Sequence, residues 1–179
     1  MKLTIKIKRL NKDLELPKII EKGEWIDLRA SQDVILEAPQ AGTLKTHKVD
    51  GKSVSHRDVT FYPTLIGLGV AMKLPKGFEA VLLPRSGTFN NFGVILANNQ
   101  GVIDNSYSGN NDEWKFNAIP FRDEEIKEGD RICQFRIQLS QKATMWQKIK
   151  WLLSSGIEIV EVESLSEEDR DGFGSTGVK

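Results

Sequence analysis

Residues 67–87 read GLGVAMKLPKGFEAVLLPRSG, and the punctuation of this stretch sets the reading of the whole chain. Two short apolar runs, 67–72 and 78–83, flank the turn-forming triplet Pro75-Lys76-Gly77, and the second run stops at Pro84-Arg85-Ser86-Gly87. Runs of about four to eight residues bounded by Gly and Pro are short for helices and predict strands. The same texture spreads outward. Upstream, Leu3, Ile5 and Ile7 alternate with Thr4, Lys6 and Lys8, the period of a half-buried strand, and 25–28 and 34–36 read likewise. Downstream come 94–97, 114–119, 132–139 and 157–162, separated by Asn98-Asn99-Gln100-Gly101 and Gly129-Asp130. Many short strands with such turns predict an all-β barrel or sandwich, and no internal repeat is visible. Two stretches differ. Residues 42–62 are polar and basic, hold both histidines, and read as a long hairpin or surface loop. In 145–153, Met145 or Trp146, Ile149, and Leu152 or Leu153 fall at helical spacing, predicting a short amphipathic helix stopped by Ser154-Ser155-Gly156. The acidic stretch 164–171 reads as an exposed linker before the glycine-rich end.

With 179 residues the chain suits one domain with a real core. Its 25 Lys and Arg balance 25 Asp and Glu, which argues against non-specific nucleic-acid binding, because that requires an excess of cations. A small polyanion can still be held by a few converging cations and backbone N–H groups. No apolar run approaches the roughly 20 residues of a membrane span, and the basic, alternating N-terminus lacks the apolar stretch of a signal peptide. A single cysteine, Cys133, precludes an internal disulfide. The expected setting is cytoplasmic, with no membrane and no nucleic acid as partner. His47, His56 and Cys133 are too few and too badly spaced for a zinc site. Any metal is then a hard ion served by carboxylates and phosphates.

Several short segments carry groups suited to phosphate chemistry. Arg85, Ser86 and Gly87 offer a guanidinium, a hydroxyl and an unhindered N–H in succession, and 88–92 suggests a helix start that adds its positive end. An ordinary turn is the competing reading. Gly101-Val102-Ile103-Asp104 sets a carboxylate at the end of an apolar strand, where partial desolvation would suit a general base; a turn Asp in a hairpin reads equally well, since Asn105 and Ser106 follow. Tyr107 and Gly109 extend that hairpin, the Tyr capping the core with its hydroxyl in solvent. Asp27, inside 25–28, either faces water or orients a metal-bound water. Gln134 either donates to a ligand oxygen or sits at an edge. Residues 172–177, Gly172-Phe173-Gly174-Ser175-Thr176-Gly177, read either as a frayed end or as a lid that orders around its ligand.

The order and spacing of these segments resemble the trimeric dUTPase family over nearly the full length, closest to its Gram-positive bacterial and phage subgroup. The five motifs of that family correspond to Trp25-Ile26-Asp27-Leu28-Arg29-Ala30, Pro84-Arg85-Ser86-Gly87, Gly101-Val102-Ile103-Asp104 with Tyr107 and Gly109, Gly129-Asp130-Arg131-Ile132-Cys133-Gln134, and residues 172–177. The resemblance implies a distorted jelly-roll (β-clip) barrel with one or two short helices, spanning 1–163 with insertions near 42–62 and 142–155. A C-terminal arm, 164–179, follows. It implies a homotrimer in which three chains build each site and the arm crosses to a neighbour. It also implies Mg²⁺ as cofactor and hydrolysis of dUTP to dUMP and pyrophosphate. Asp104 would activate the attacking water, Arg85, Ser86, Gly87 and Gln134 would contact the phosphates, and Asp27 would hold a Mg²⁺-bound water. Asn98, Gly101, Val102 and Ile103 would bind uracil in a β-hairpin, with Tyr107 under the deoxyribose. Phe173 would stack on the base, with Gly174, Ser175 and Thr176 near the terminal phosphate.

Three departures from the family pattern stand out. Glu24, Trp25 and Ile26 replace the usual Ala-Gly-x before the first motif's Asp. The Arg that usually precedes the fifth motif's Phe by five residues is Glu168 here, and Arg170 stands closer and takes its expected role. Residues 110–114 lengthen the third hairpin, which leaves Trp114 and Phe116 either as a core pair or as substitutes for Phe173. Two other functions share this fold. One is dCTP deaminase, alone or bifunctional with dUTPase. The other is a regulatory protein that binds a repressor through the 42–62 and 145–153 surfaces.

Overall fold

The computed structural model describes residues 1–19, 23–165 and 167–170. Its strands are β1 (Leu3–Arg9), β2 (Ile26–Arg29), β3 (Val34–Leu36), β4 (Gln40–Ala41), β5 (Lys45–Val49), β6 (Lys52–His56), β7 (Val59–Thr60) and β8 (Thr64–Gly67). They continue as β9 (Val70–Lys73), β10 (Phe78–Pro84), β11 (Val94–Leu96), β12 (Gly101–Ile103), β13 (Lys115–Pro120), β14 (Glu124–Ile126), β15 (Arg131–Leu139) and β16 (Ile157–Glu161). Helix α1 (Thr88–Phe92) follows β10, and α2 (Met145–Leu152) lies between β15 and β16.

β10 organises the molecule. It lies between β12 and β15 in a sheet of order β12-β10-β15-β2, and two further sheets, β16-β1-β9 and β11-β13-β8, wrap the same core. The alternation read in the first strand is realised, with Leu3, Ile5 and Ile7 buried in β1. β1 runs parallel to β16 and antiparallel to β9. At the centre Trp114 meets Phe135 edge to face, with centroids 5.1 Å apart. Both rings are fully buried, so truncating either to Ala costs about 3–5 kcal/mol. Trp114 and Phe116 are therefore core residues of the single chain, and Trp114 also borders the cleft of Gly101, Val102 and Ile103. Cys133 is buried beside them, and burial pushes its thiol pKa up, which keeps it protonated and unreactive.

Two expectations are corrected. The run 67–72 is not one strand. It breaks at Leu68 and Gly69, where Gly69 takes φ +65° and a Cβ would meet Leu14 at 3.0 Å. The chain turns a corner there, from the sheet of β13 to that of β1, while Leu68 N–H donates to Trp114 O and Trp114 N–H to Val70 O. Nor do β11 and β12 form a hairpin: β11 pairs with β13 and β12 with β10, so Asn98 lies in a connection between two sheets. Helix α2 forms where the periodicity predicts and carries a Thr144/Gln147 capping box. Its apolar face is only partly covered: Trp151 packs on Phe78 with ring centroids 5.3 Å apart, while Trp146 and Leu152 are about four-fifths exposed.

The insertion at 42–62 is a hairpin. β5 and β6 pair from Lys45↔His56 to Val49↔Lys52, and the connecting Asp50 and Gly51 both have positive φ, as a two-residue type I′ turn requires. Every residue of both strands is exposed.

Candidate active site

Each end of β10 carries one cluster of the candidate residues. At its C-terminal end β2, β15 and β10 lie side by side, with Asp27 opposite Gln134 and Gln134 opposite Leu83. Asp27 Oδ1 accepts from Arg85 Nε at 2.8 Å and Oδ2 from Arg131 Nη1 at 3.1 Å. Arg131 reaches this row because β15 bulges between Arg131 and Cys133, re-aiming the side chain. One carboxylate between two guanidiniums leaves a local positive charge, suited to phosphate oxygens. Gln134 Nε2 donates to Pro84 O at 3.3 Å, and Ser86 is exposed at the turn beyond.

Thr88 fixes that turn. Its side chain is buried, its Oγ1 accepts from Arg85 N–H at 2.9 Å, and the same hydroxyl donates to Ile132 O at 2.8 Å. Thr88→Val keeps the shape but strands a buried N–H and a buried C=O, at about 1–3 kcal/mol each. The turn is then no longer pinned. Turnover of substrate is expected to fall about tenfold or more while far-UV circular dichroism is retained, and wild-type steady-state kinetics would contradict this role.

The second cluster lies past β12. Ile103 pairs with Ala80 near the start of β10, and Asp104 follows. A turn closes behind it, with Tyr107 N–H donating to Asp104 O at 3.0 Å and Asn105 Nδ2 gripping Leu74 O and Pro75 O. Gly101 packs tightly here, since a Cβ would lie 3.3 Å from Leu82 Cβ on the paired strand. Asn98, Gly101, Val102, Ile103 and Tyr107 line one small cleft together with Leu82, Leu96 and Trp114. Asp104 itself is not desolvated as expected. Its side chain is 64% exposed in the single chain, and its Oδ2 accepts from Arg170 Nη1 at 3.2 Å. The Tyr107 hydroxyl is not in solvent either, since it donates to Glu113 O at 2.9 Å. The stretch read as an exposed linker is partly anchored: Leu165 is buried and Arg170 N–H donates to both oxygens of the buried Asp112. Phe173, Gly174, Ser175 and Thr176 lie outside the described residues.

Asp104 is level with Glu79 on β10, and Arg85 lies six residues further along. At about 3.3 Å per residue the two clusters are roughly 20 Å apart, so one chain cannot place Asp104 and Arg85 on the same phosphate.

The family model for dUTPase matches residues 54–177. The chain belongs to the dUTPase family. A SPbeta prophage-derived deoxyuridine 5'-triphosphate nucleotidohydrolase of Bacillus subtilis (strain 168) is 41% identical over 177 residues, covering 99% of this chain and 100% of the relative. A deoxyuridine 5'-triphosphate nucleotidohydrolase of Finegoldia magna is 35% identical and covers 78% of this chain and 90% of its own length. Among solved structures, a variant of the Staphylococcus bacteriophage 80alpha dUTPase with dUpNHpp superposes at TM-score 0.56 with 19% identity, over 97% of this chain and 98% of that one. The Streptococcus mutans dUTPase superposes at 0.56 with 18% identity, over 77% and 98%. The likeness to the solved structures supports the fold, a dUTPase-like β barrel with two short helices.

Within that family reading, the sequence missed Arg131, Thr88 and the 110–112 loop. Arg131 was legible only as part of a motif, because its orientation depends on the bulge. Thr88 looked like a helix start, and its long-range bond to Ile132 has no local signature. No group of three or more His, Cys, Asp or Glu able to hold a metal exists among the described residues. Asp27 is an isolated carboxylate in a cationic cluster, which fits an ion that arrives with phosphates and keeps most of its waters.

Proposed function

We propose that the chain is a dUTP pyrophosphatase acting as a homotrimer, with Asp104 of one subunit facing the Arg85 turn of a neighbour. The observation that carries the shared site is the separation of the two clusters along β10. Each cluster is half of a phosphoryl-transfer site: one holds an acceptor for a proton, the other the cations for a phosphate chain. Joining copies of the chain supplies both halves to each nucleotide, and cyclic symmetry repeats this for every site.

In the assembled site the uracil enters the cleft of Asn98, Gly101, Val102 and Ile103. Tyr107, fixed through its hydroxyl to Glu113, lies against the deoxyribose. Backbone groups in the cleft discriminate the base edge, because a mismatched donor or acceptor left unpaired costs about 1–3 kcal/mol. Water attacks the α-phosphorus and its proton passes to the Asp104 carboxylate. The bond from that phosphorus to the αβ-bridging oxygen breaks, releasing dUMP and pyrophosphate. Arg85, Ser86, the Gly87 N–H and Gln134 stabilise the charge on the leaving pyrophosphate. Arg170 reaches the terminal phosphate, and Phe173, Gly174, Ser175 and Thr176 close over the nucleotide. Mg²⁺, when bound to the triphosphate, neutralises part of its charge. Asp27 would accept a hydrogen bond from water on that ion. A variant dUTPase of phage phi11 of S. aureus is described with a structural Mg(II) ion, which supports Mg²⁺ as the metal used.

Pyrophosphate release from dUTP, with and without EDTA, tests the reading, together with ammonia release from dCTP. The expected result is rapid pyrophosphate release that EDTA abolishes, with no ammonia. Ammonia from dCTP, or no pyrophosphate from dUTP, overturns it. Related structures of the bacteriophage 80alpha dUTPase are described as controlling transfer of virulence genes. The corresponding trial here is repressor binding to the β5–β6 hairpin and α2.

A further inference from the structure

The turn that carries Asp104 stands beyond the strand ladder. β12 pairs with β10 over three residues, Gly101↔Leu82, Val102↔Val81 and Ile103↔Ala80, and the pairing stops one residue short of Asp104. Within the turn Tyr107 N–H donates to Asp104 O at 3.0 Å, which shapes the turn but does not aim it. Asn105 ties it to the barrel. Its Nδ2 donates to Leu74 O at 3.1 Å and to Pro75 O at 2.9 Å. Both hydrogens of one amide are thus spent on two consecutive carbonyls, which fixes direction as well as distance.

The anchor of Asn105 is stiff. Leu74 is buried, the ring of Pro75 fixes its own φ, and Pro75 O also accepts from Phe78 N–H at 3.1 Å. Gly77 turns the chain into β10 with φ +87°, and Ser140 N–H donates to Gly77 O at 2.9 Å. Helix α2 covers the outside of this turn. A Cβ on Gly77 would lie 2.3 Å from Gln147 Oε1 and 2.4 Å from its Cδ, so the Gln147 amide lies directly on the glycine. The same Oε1 accepts from Thr144 N–H at 2.7 Å, which holds that amide in place as part of the capping box. One turn further along α2, Trp151 packs on Phe78. These contacts are local to one chain. Phe78 pairs with Leu139 at the end of β15, five residues, 140–144, lead to Met145, and Ala143 N–H to Ser140 O closes that short connection.

We propose that the α2 insertion serves the active site as a brace: Gln147 fixes the 75–77 turn, and Asn105, anchored on that turn, sets the direction of Asp104. This rests on the reading of Asp104 as the acceptor of the water's proton. Asn105 and Gln147 are positioning residues, and neither lines the cleft for the base. The brace therefore acts on rate rather than on binding. The cleft and the Arg85 turn hold the nucleotide without reference to the Asp104 carboxylate, whereas proton transfer needs that carboxylate within hydrogen-bond reach of the water, and a misplacement of about 1 Å costs about 10²-fold.

Steady-state hydrolysis of dUTP by full-length variants, well below their melting temperatures, tests the brace. Asn105→Ala is expected to lower kcat about 10–10²-fold, with KM within about threefold of wild type. Gln147→Ala, one step further from the carboxylate, is expected to lower kcat about three- to tenfold. Gln147→Glu keeps the bond to Thr144 N–H and the bulk over Gly77, and is expected to recover most of that loss. The double variant Asn105→Ala/Gln147→Ala separates a brace from general loosening. If Gln147 acts through the anchor of Asn105, the double variant is no slower than Asn105→Ala alone, whereas independent effects multiply. A multiplied loss, or wild-type kcat in Gln147→Ala, overturns the part of the helix. Wild-type kcat in Asn105→Ala, or a loss confined to KM, overturns the brace altogether. Gln147 lies on an otherwise exposed helix, so its variants retain the core and decide the matter even where Asn105→Ala does not fold. A wild-type protein that releases no pyrophosphate from dUTP overturns instead the reading of Asp104 itself, so the two failures are distinct.

Discussion

Asp104→Asn lowers kcat for dUTP by about 10²–10⁴-fold, the range for removing a positioned general base, while the affinity for a non-hydrolysable dUTP analogue changes less than about tenfold. The asymmetry follows from the position of the side chain. Asp104 follows β12 on a turn held by Asn105 and the Tyr107 N–H, and the cleft for the base is built from its neighbours rather than from its carboxylate. Asn is nearly isosteric, accepts a hydrogen bond through Oδ1, and cannot take a proton from water near neutral pH. One contact does change: Arg170 Nη1 now meets a neutral amide oxygen in place of Asp104 Oδ2. Losing that ion pair frees the guanidinium for phosphate, so analogue affinity shifts slightly upward if at all. The pair is about half exposed and screened, so the shift is small. Single-turnover chemistry and equilibrium binding of the analogue, measured on one preparation, separate the two quantities. An Asn variant that turns over dUTP at the wild-type rate would remove Asp104 from the reaction.

Local patterns carried most of the fold. Strand alternation in β1, the Pro75-Lys76-Gly77 turn before β10 and the helical spacing of α2 are all short-range signals, and each element forms where its residues predict. The misses share a cause. The corner at Leu68 and Gly69 looks like uninterrupted apolar sequence, and only the competition between β1 and β13 for this segment breaks it. Asn98-Asn99-Gln100-Gly101 carries every mark of a hairpin turn, yet β11 and β12 pair with different strands, because turn chemistry specifies a reversal and not which strand is met after it. Within the site, the ordered motifs named Asp27, Arg85, Gln134 and Asp104 but did not disclose that they sit at opposite ends of one strand. That fact depends on the β10–β12 and β10–β15 registers. Arg131 depends on a bulge, and the 110–112 loop acquires meaning only from residues more than fifty positions away.

Arg85→Ala and Arg85→Lys are expected to be nearly equivalent in catalysis, each losing about 10²–10³-fold in kcat/KM. For the alanine the loss is plain: the group that stabilises charge on the departing pyrophosphate is gone. The lysine is the informative change. Arg85 uses Nε to meet Asp27 Oδ1 at 2.8 Å, so that bond does not occupy the two terminal nitrogens. A lysine has one nitrogen for both tasks. Paired with Asp27 it withdraws from the phosphate, and facing the phosphate it leaves Asp27 to Arg131 alone. Stability changes little in either variant, because Asp27 keeps a guanidinium partner in Arg131 Nη1 at 3.1 Å when Arg85 is replaced. The turn itself remains, since Thr88 holds the backbone N–H of residue 85 rather than its side chain. Thermal melts within a few degrees of wild type, together with the kinetic loss in both variants, are the expected pair of results. A lysine variant that retains most of the activity would mean that charge alone suffices at this position and that the fork to Asp27 has no part in aiming it.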